Sequence, residues 1–358
     1  MNTYKKYIVI LLGVFFTLLF CVASMVFVID PYFHYHEPLP QISYKLENQR
    51  YQNDGISRNF EYNGIIIGTC MTENFMTSEF DNLFGVNGIK IPFEGASYKE
   101  INDALTRAIS YNSEIEVVIR GLDSYLLDTD KDYLVYEEYP NYLYDNNILN
   151  DTAYVFNKDF LTGDFIELGL LPTLEHQKSS TFDEYSNWND ELEYGLENVL
   201  STYQRIESKV EEAVVFDESK KQTIKENIEQ NVITIAKENP DIDFYYFYPP
   251  YSVFFFDELH QLNKYEYKFD SMEYATSLIL EQENIHLFSF WNEFGIETDL
   301  DNYKDSVHYS EDVNSFILER IKEGKINLLT KENYKEHFAG VETYYNMFPY
   351  EELFINKP

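Results

Sequence analysis

Two short segments far apart in the chain carry the side chains best suited to chemistry. Residues 65–71, IIIGTCM, form a β-branched apolar run that stops abruptly and presents the nucleophile Cys70. Residues 305–308, DSVH, place the carboxylate of Asp305 three positions before the imidazole of His308. A nucleophile, a general base and a carboxylate that orients the base are the components of a covalent hydrolase site. Together the two segments predict a hydrolase-type active site.

Each of these residues also has a plain structural explanation. A small cysteine at the end of a strand is often a core residue, and a single surface histidine usually has no catalytic role. An aspartate three residues before a histidine is common by chance. Only the positions of these residues in a shared fold can separate the two explanations.

The scaffold that would bring the two segments together is predicted from alternating apolar runs and helical patterns. This alternation is typical of a parallel sheet with crossover helices, so it predicts the α/β class. Five strands are expected, at 64–68, 88–91, 116–122, 244–248 and 285–290. Ligands gather at the carboxyl ends of parallel strands. Four candidate positions fall at such ends: Cys70, Gly95, Asp123 and the Asp305/His308 pair.

Helix start signals predict the connecting helices. Ser97 and Glu100 form a capping box ahead of apolar residues at helical spacing. A long helix is predicted over 217–239, another from Asp270, and a last one with Ser310 as its N-cap.

Residues 7–29 form an apolar run without a charged side chain, and about 20 such residues allow a helix to span a bilayer. Lys5 and Lys6 precede the run, so the positive-inside rule predicts a cytoplasmic N-terminus and a main domain outside. A cleaved signal peptide is the alternative, because Ala23 and Ser24 could form a cleavage site. An uncleaved anchor is favoured, since the apolar run continues beyond these small residues.

These features divide the chain into five predicted segments. They are a cytoplasmic tail at 1–6, a transmembrane signal anchor at 7–29, an extracytoplasmic linker at 30–57, a hydrolase-type domain at 58–325 and a C-terminal extension at 326–358. The domain contains a loosely patterned stretch at about 124–200, which is too long for a simple crossover loop. This stretch is interpreted as an insertion that covers the site.

The composition narrows the classes of partner and cofactor. The 358 residues carry a formal net charge of −35, which argues against nucleic acid, because phosphates are bound mainly by Lys and Arg. Cys21, inside the apolar run, and Cys70 are the two cysteines, and no disulfide is expected between them. No histidine spacing predicts a metal site; His34 and His36 fit an aromatic segment at the membrane interface better. No cofactor is predicted.

The order of these motifs resembles the SGNH (GDSL-like) hydrolase superfamily, including membrane-anchored relatives that handle acyl groups on cell-envelope polymers. The resemblance covers about residues 58–325, and it implies a three-layer, flavodoxin-like sandwich around a five-stranded parallel sheet. It places Cys70 at the position of the family's nucleophilic serine. It also implies that His308 is the general base and that Asp305 orients the imidazole.

In the same comparison, Gly95 corresponds to the glycine of the family's second block, and Asp123 replaces the asparagine that ends the third. A thiol is a competent nucleophile, since its pKa of about 8.5 falls beside an imidazolium. The asparagine amide would donate a hydrogen bond to an oxyanion, whereas an ionised carboxylate would repel it. Either Asp123 is protonated or turned away, or the backbone N–H groups of Cys70 and Gly95 stabilise the oxyanion alone.

Tyr251 is a candidate substrate-binding residue because of its position. It lies in the segment YPPYS at 248–252, which follows the fourth predicted strand at the same edge of the sheet. The segment is predicted to be a rigid turn, which either forms a wall of the substrate site or merely ends the strand.

Two functions from different classes fit these observations. The leading one is an extracytoplasmic, membrane-anchored esterase or acyltransferase in which Cys70 attacks an ester carbonyl. The resemblance implies an acylated envelope polysaccharide or wall polymer as its substrate, and the N-terminal helix makes the membrane a partner. The alternative is a catalytically inactive relative that binds a glycan or supports envelope assembly. Convergence of Cys70, His308 and Asp305 would favour the enzyme.

Overall fold

The structure, a computed structural model, describes residues 3–136, 139–189, 193–206 and 210–355. The chain divides into two compact units. The small unit consists of Met1–Glu61 and Tyr136–Tyr185, and the sheet unit of Tyr62–Val135 and Ser186–Pro358. The stretch predicted as an insertion at about 124–200 is therefore shared between the two, and its middle part belongs to the same unit as the apolar N-terminal segment.

The sheet unit is built on five parallel strands in the order β2-β1-β3-β4-β5. The strands are β1 (Gly64–Gly68), β2 (Gly88–Pro92), β3 (Val117–Gly121), β4 (Asp243–Tyr248) and β5 (Ile285–Ser289). This order is that of flavodoxin-like sheets. The chain adds β2 on one side of β1 and the later strands on the other, and in such sheets ligands bind at the strand ends beside this switch point. The predicted α/β fold is confirmed, and each predicted strand end lies within one residue of the observed one.

The helices are as follows, in chain order: α1 (Thr3–Ile29), α2 (Gln49–Asn59), α3 (Thr77–Phe84), α4 (Tyr98–Tyr111), α5 (Thr152–Val155), α6 (Lys158–Thr162), α7 (Leu171–Leu174), α8 (Leu196–Thr202), α9 (Glu218–Ile228), α10 (Thr234–Glu238), α11 (Val253–Gln261), α12 (Tyr265–Ile279), α13 (Phe294–Glu297), α14 (Glu311–Glu323), α15 (Tyr334–Asn346) and α16 (Glu352–Ile355). Helices lie on both sides of the sheet, and every position of β1, β2 and β3 is buried. Burial on both faces fits the mostly apolar composition of these strands, although β2 and β3 also bury Lys90 and Arg120.

Several predicted helix ends are confirmed. Ser97 caps α4, because its Oγ accepts a hydrogen bond from the N–H of Glu100 at 3.2 Å. Ser310 is the N-cap residue of α14, although its side chain makes no capping bond. The helix predicted over 217–239 consists of α9 and α10, joined by a π-helical turn at Glu229–Ile233.

Several helical predictions were wrong or missing. The helix expected from Asp270 begins at Tyr265, and α2 and α15 were not predicted. Helix α11 was missed because its first residues, VFFF, are buried on all sides and show no amphipathic period. Its start does follow the capping rule, because Ser252 Oγ accepts from the N–H of Phe254 at 3.3 Å.

The small unit has its own core, and the end of α1 is part of it. Val26 is fully buried among aromatic and aliphatic side chains, including Tyr32, Tyr154 and Phe160. Directly after α1, the carboxylate of Asp30 accepts hydrogen bonds from the N–H groups of residues 34–36 and from the hydroxyl of Tyr154. These bonds hold the chain as it leaves the helix.

Candidate active site

Cys70 lies directly beyond the carboxyl end of β1, at the first position of a short 3₁₀ turn, Cys70–Thr72. Thr69 is the N-cap of this turn, and the hydroxyl of Thr72 donates to the carbonyl of Thr69 at 2.8 Å. The turn packs closely on the strand, since a Cβ added to Gly68 would lie 2.6 Å from Thr72 Cγ2. The glycine thus lets the chain turn sharply, and the thiol of Cys70 remains partly exposed.

The structure brings Cys70, His308 and Asp305 together. His308 Nε2 lies 3.0 Å from Cys70 Sγ, and His308 Nδ1 lies 2.7 Å from Asp305 Oδ2. The other carboxylate oxygen of Asp305 accepts from the backbone N–H groups of His308 at 2.8 Å and Val307 at 2.9 Å. The side chains of His308 and Asp305 are 22% and 24% exposed, so a small ligand can reach them.

The loop that carries Asp305 and His308 is anchored at both ends. The N–H of Lys304 donates to the carbonyl of His308 at 3.1 Å, which closes the loop. The carbonyl of Ser306 accepts from both the N–H and the hydroxyl of Ser252, at the start of α11. Tyr309 in turn donates its hydroxyl to the carbonyl of Met71 at 3.3 Å. The imidazole and the thiol are therefore held on elements that are bonded to each other.

The charges at the site favour a proton on the imidazole. Burial lowers the pKa of His308, but the hydrogen bonds and negative charges of Asp305 and Cys70 outweigh it and raise that pKa to about 10. For Asp305 burial acts in the opposite direction and raises the pKa. Hydrogen bonds from His308 and Val307 outweigh this effect and hold the pKa of Asp305 below its usual range. This arrangement favours an imidazolium between the thiol and the carboxylate.

Asp123, which stands after β3 where the resemblance expects an asparagine, lies fully buried beneath the turn of Cys70. One carboxylate oxygen accepts from Thr69 Oγ1 at 2.5 Å and the other from the hydroxyl of Tyr251 at 2.7 Å. Burial raises the pKa of Asp123, and these hydrogen bonds and the charge of His308 oppose the rise. Both carboxylate oxygens therefore face hydroxyl groups of the protein.

Tyr251, predicted to bind substrate, lies after β4 with its side chain fully buried. Besides donating to Asp123, its hydroxyl accepts from the N–H of Ser124 at 3.3 Å. In this structure Tyr251 connects the loops after β3 and β4, and its contact with substrate stays a prediction.

Gly95 lies after β2, at an exposed turn with φ of 61°. A glycine adopts this left-handed conformation without the strain that a Cβ would cause. Among the described residues, no turn, loop or cap hydrogen bond engages the backbone N–H of Gly95 or of Cys70. Both groups are thus available to a ligand at the strand ends.

Trp188 was not identified from the sequence, yet it forms one side of the site. Its ring meets the imidazole of His308 edge to face, with centroids 5.9 Å apart and planes at 86°. The indole N–H donates to Glu73 Oε2 at 2.8 Å, and Lys304 Nζ lies 3.8 Å from the ring centroid. Trp188 comes from the loosely patterned stretch, so only the fold reveals its place.

The described residues contain no group of three or more His, Cys, Asp or Glu side chains that could hold a metal ion. The chemistry that the site can perform from its own side chains is nucleophilic. It holds a thiol, an imidazole bonded to that thiol and a carboxylate bonded to the imidazole.

Neither known protein families nor curated proteins match this sequence. Among solved structures, the chain is similar to a protein from Streptococcus pneumonia provisionally described as a platelet activating factor. The similarity has a TM-score of 0.36 at 10% identity and covers 76% of this chain and 90% of that one. A likeness at this level establishes neither a family nor an activity.

Proposed function

We propose that this chain is a membrane-anchored esterase or O-acyltransferase that removes or transfers acyl groups of a cell-envelope glycan. The observation that carries this proposal is the array in which His308 Nε2 lies 3.0 Å from Cys70 Sγ while Nδ1 is bonded to Asp305. Such an array supports covalent catalysis. The same convergence favours the enzyme over the alternative of an inactive glycan-binding or assembly protein.

In the proposed mechanism, the thiolate of Cys70 forms a bond to the carbonyl carbon of the ester. As the tetrahedral intermediate collapses, the C–O bond breaks, and His308 gives its Nε2 proton to the leaving alkoxide. Water or a glycan hydroxyl then loses its proton to His308 and attacks the thioester, which releases the thiolate. Asp305 keeps Nδ1 protonated and the ring oriented throughout. Hydrolysis and transfer differ only in the molecule that takes the acyl group from the thioester, which is water in hydrolysis and a glycan hydroxyl in transfer.

The negative oxygen of the tetrahedral intermediate requires hydrogen-bond donors. The backbone N–H groups of Cys70 and Gly95 are proposed for this role, because no turn, loop or cap bond among the described residues engages them. Asp123 is not proposed as a donor, since both of its oxygens accept hydrogen bonds from Thr69 and Tyr251.

The proposed location is the outer face of a cell membrane, with residues 1–6 in the cytoplasm and the hydrolase-type domain at 58–325 outside. Helix α1 is long and apolar enough to cross a bilayer, with a mean hydropathy of 2.8 over its most apolar stretch. Because Val22 packs against the core of the small unit, cleavage at Ala23 or Ser24 would remove this side chain from the packing. This supports a retained anchor over a cleaved signal peptide.

The proposal is tested by trapping the acyl-enzyme. The full-length chain, carrying Cys21→Ala so that Cys70 is the only thiol, is mixed in detergent with p-nitrophenyl acetate. We expect a burst of one p-nitrophenolate per chain and a mass increase of one acetyl group on the peptide containing Cys70. His308→Gln should lose the burst, and Cys70→Ala should lose both signals. Absence of acetylation in the Cys21→Ala chain would contradict the proposal.

A further inference from the structure

An apolar groove of about 600 Å³ runs along the last third of α1. One wall is the face of α1 that carries Phe20, Ala23 and Phe27, which follow each other at helical spacing. The opposite wall comes from α5 and its flanks, including Ile148 and Val155. Both walls belong to the small unit.

The two walls are held together by the core of the small unit. Val22, Val26 and Ile29, on another face of α1, pack into the cluster that contains Tyr154 of α5. The walled part of α1, residues 20–28, is about 12 Å long at 1.5 Å per residue. The groove is therefore a built feature of the small unit, and it ends where α1 continues without neighbours towards its N-terminus.

Exposed apolar side chains surround the outer wall of the groove. Ile148 is 76% exposed, Leu149 83% and Phe156 41%. Exposed apolar surface of this extent marks a contact with a partner or a membrane. In a chain with a net charge of −35, the position of this apolar surface beside the apolar helix α1 points to the bilayer.

We propose that this groove binds one acyl chain of a bilayer lipid, and that the segment from Ile148 to Phe156 lies in the surface of the outer leaflet. The inference rests on the proposed membrane anchor, because only an inserted α1 places the groove at the depth of the lipid chains. An extended acyl chain lies along α1 and buries the apolar walls. Lipid bound there fixes the small unit against the membrane, beyond what the single helix achieves.

The dimensions of the groove favour a lipid chain over a transmembrane helix of another protein. A helix with side chains is about 10–12 Å wide, so a 12 Å length of it would fill roughly 1,000 Å³. The groove offers about 600 Å³ and ends after the same length. A partner helix would also need contact along the bare part of α1, where the structure provides no second wall among the described residues.

The test uses the full-length chain in lipid nanodiscs that contain phosphatidylcholine with a diazirine in one acyl chain. After illumination, labelled residues are mapped by mass spectrometry. We expect labels on both walls, at residues 20–28 and 148–156. Ala23→Trp should fill the groove and reduce labelling of Val155, which lines it, to background, whereas the exposed Leu149 should stay labelled. Leu12→Trp, an exposed position outside the groove, is the matched control and should leave that labelling unchanged.

The outcomes separate this inference from the proposed function. If the chain stays in the membrane at alkaline pH but is labelled only at residues 3–18, the anchor stands and the groove proposal is overturned. Crosslinks of the groove to a second polypeptide in native membranes would overturn it in favour of a protein partner. If alkaline extraction releases the chain, the proposed anchor itself fails. If Cys70 is alkylated at the same rate in Ala23→Trp as in the wild type, the sheet unit of that variant is folded.

Discussion

At the scale of single residues, the site depends on the orientation of the His308 ring. The bond from Nδ1 to Asp305 leaves Nε2 as the atom that faces Cys70. Asp305 is itself fixed by the backbone N–H groups of Val307 and His308, so the short spacing between Asp305 and His308 creates the geometry locally. This is why the pairing of Asp305 with His308 could be predicted from the four residues DSVH at 305–308.

Other parts of the site could not be predicted, because they depend on contacts between distant segments. Trp188 is held beside His308 by bonds to residues distant in sequence, including Glu73 and Asn74, which follow the turn of Cys70. Nothing in its local sequence distinguishes it from other aromatic residues. The role of Asp123 was open as well, since its partners, Thr69 and Tyr251, lie on two other strand ends.

Asp123 is predicted to slow ester cleavage relative to an asparagine at the same position. In Asp123→Asn, an amide that can donate a hydrogen bond replaces a carboxyl group whose two oxygens both accept hydrogen bonds. We expect the rate of acetyl transfer from p-nitrophenyl acetate to rise at least about tenfold, measured from the p-nitrophenolate burst. Asp128→Asn serves as control, because Asp128 also lies between β3 and β4 but accepts a hydrogen bond from Tyr267, and it should leave the rate unchanged. A slower Asp123→Asn enzyme would instead show that Asp123 positions Thr69.

At the scale of elements, the strands were predicted well because burial makes them short, mostly apolar runs, which are β-branched in β1 and β3 and aromatic in β4. The helices were predicted only where one side faces solvent. Helix α4 shows both a cap and a 3.6-residue period, whereas α11 begins with four consecutive buried apolar residues. Such a run has no period to detect.

The close packing of β1 against the turn of Cys70 gives a prediction at this scale. Gly68→Ala should place a methyl group against Thr72 and displace the turn, because the added Cβ would lie 2.6 Å from Thr72 Cγ2. We expect a loss of about 1–3 kcal/mol in the free energy of unfolding, measured with urea, and a weaker acetylation burst. Gly340→Ala, in α15 with no atom within 4 Å of the added Cβ, is the control. It should stabilise the chain by up to about 1 kcal/mol. Equal behaviour of the two variants would refute the packing argument.

At the scale of the whole molecule, the sequence predicted the α/β class and the apolar helix, but not the composition of the small unit. Residues 142–170 surround the end of α1 in one core, although they are distant in sequence. Their irregular pattern reflects short helical segments, α5, α6 and α7, which carry too few turns to show a period. Only long-range packing defines this unit.

The stability of the whole chain should depend on pH through His337. Burial lowers the pKa of His337 to about 4, and its Nε2 lies 2.9 Å from Ser289 Oγ at the end of β5. As pH falls below about 6.5, the unfolded state takes up a proton that the folded state refuses until about pH 4. The stabilisation is therefore complete above pH 6.5 and lost as pH falls towards 4.

We expect the free energy of unfolding of the wild type, relative to His337→Gln, to decrease by up to about 3 kcal/mol between pH 7 and pH 4. Urea titrations of both proteins in the same detergent measure this difference. The contributions of the carboxylates to the pH dependence are common to both proteins and cancel in the comparison. A difference that does not vary with pH would mean that His337 titrates alike in both states.

The most direct test of the central claim, that Cys70 and His308 form a working nucleophile and base, is the pH dependence of iodoacetamide alkylation. The full-length Cys21→Ala chain is compared with the same chain carrying His308→Gln. We predict a rate that is nearly constant from about pH 6 to 8 with His308 present. In the variant, the rate should fall about tenfold per pH unit below about 8.5, as for a free thiol. Identical profiles would show that the imidazole does not activate the thiol, and would contradict the proposed mechanism.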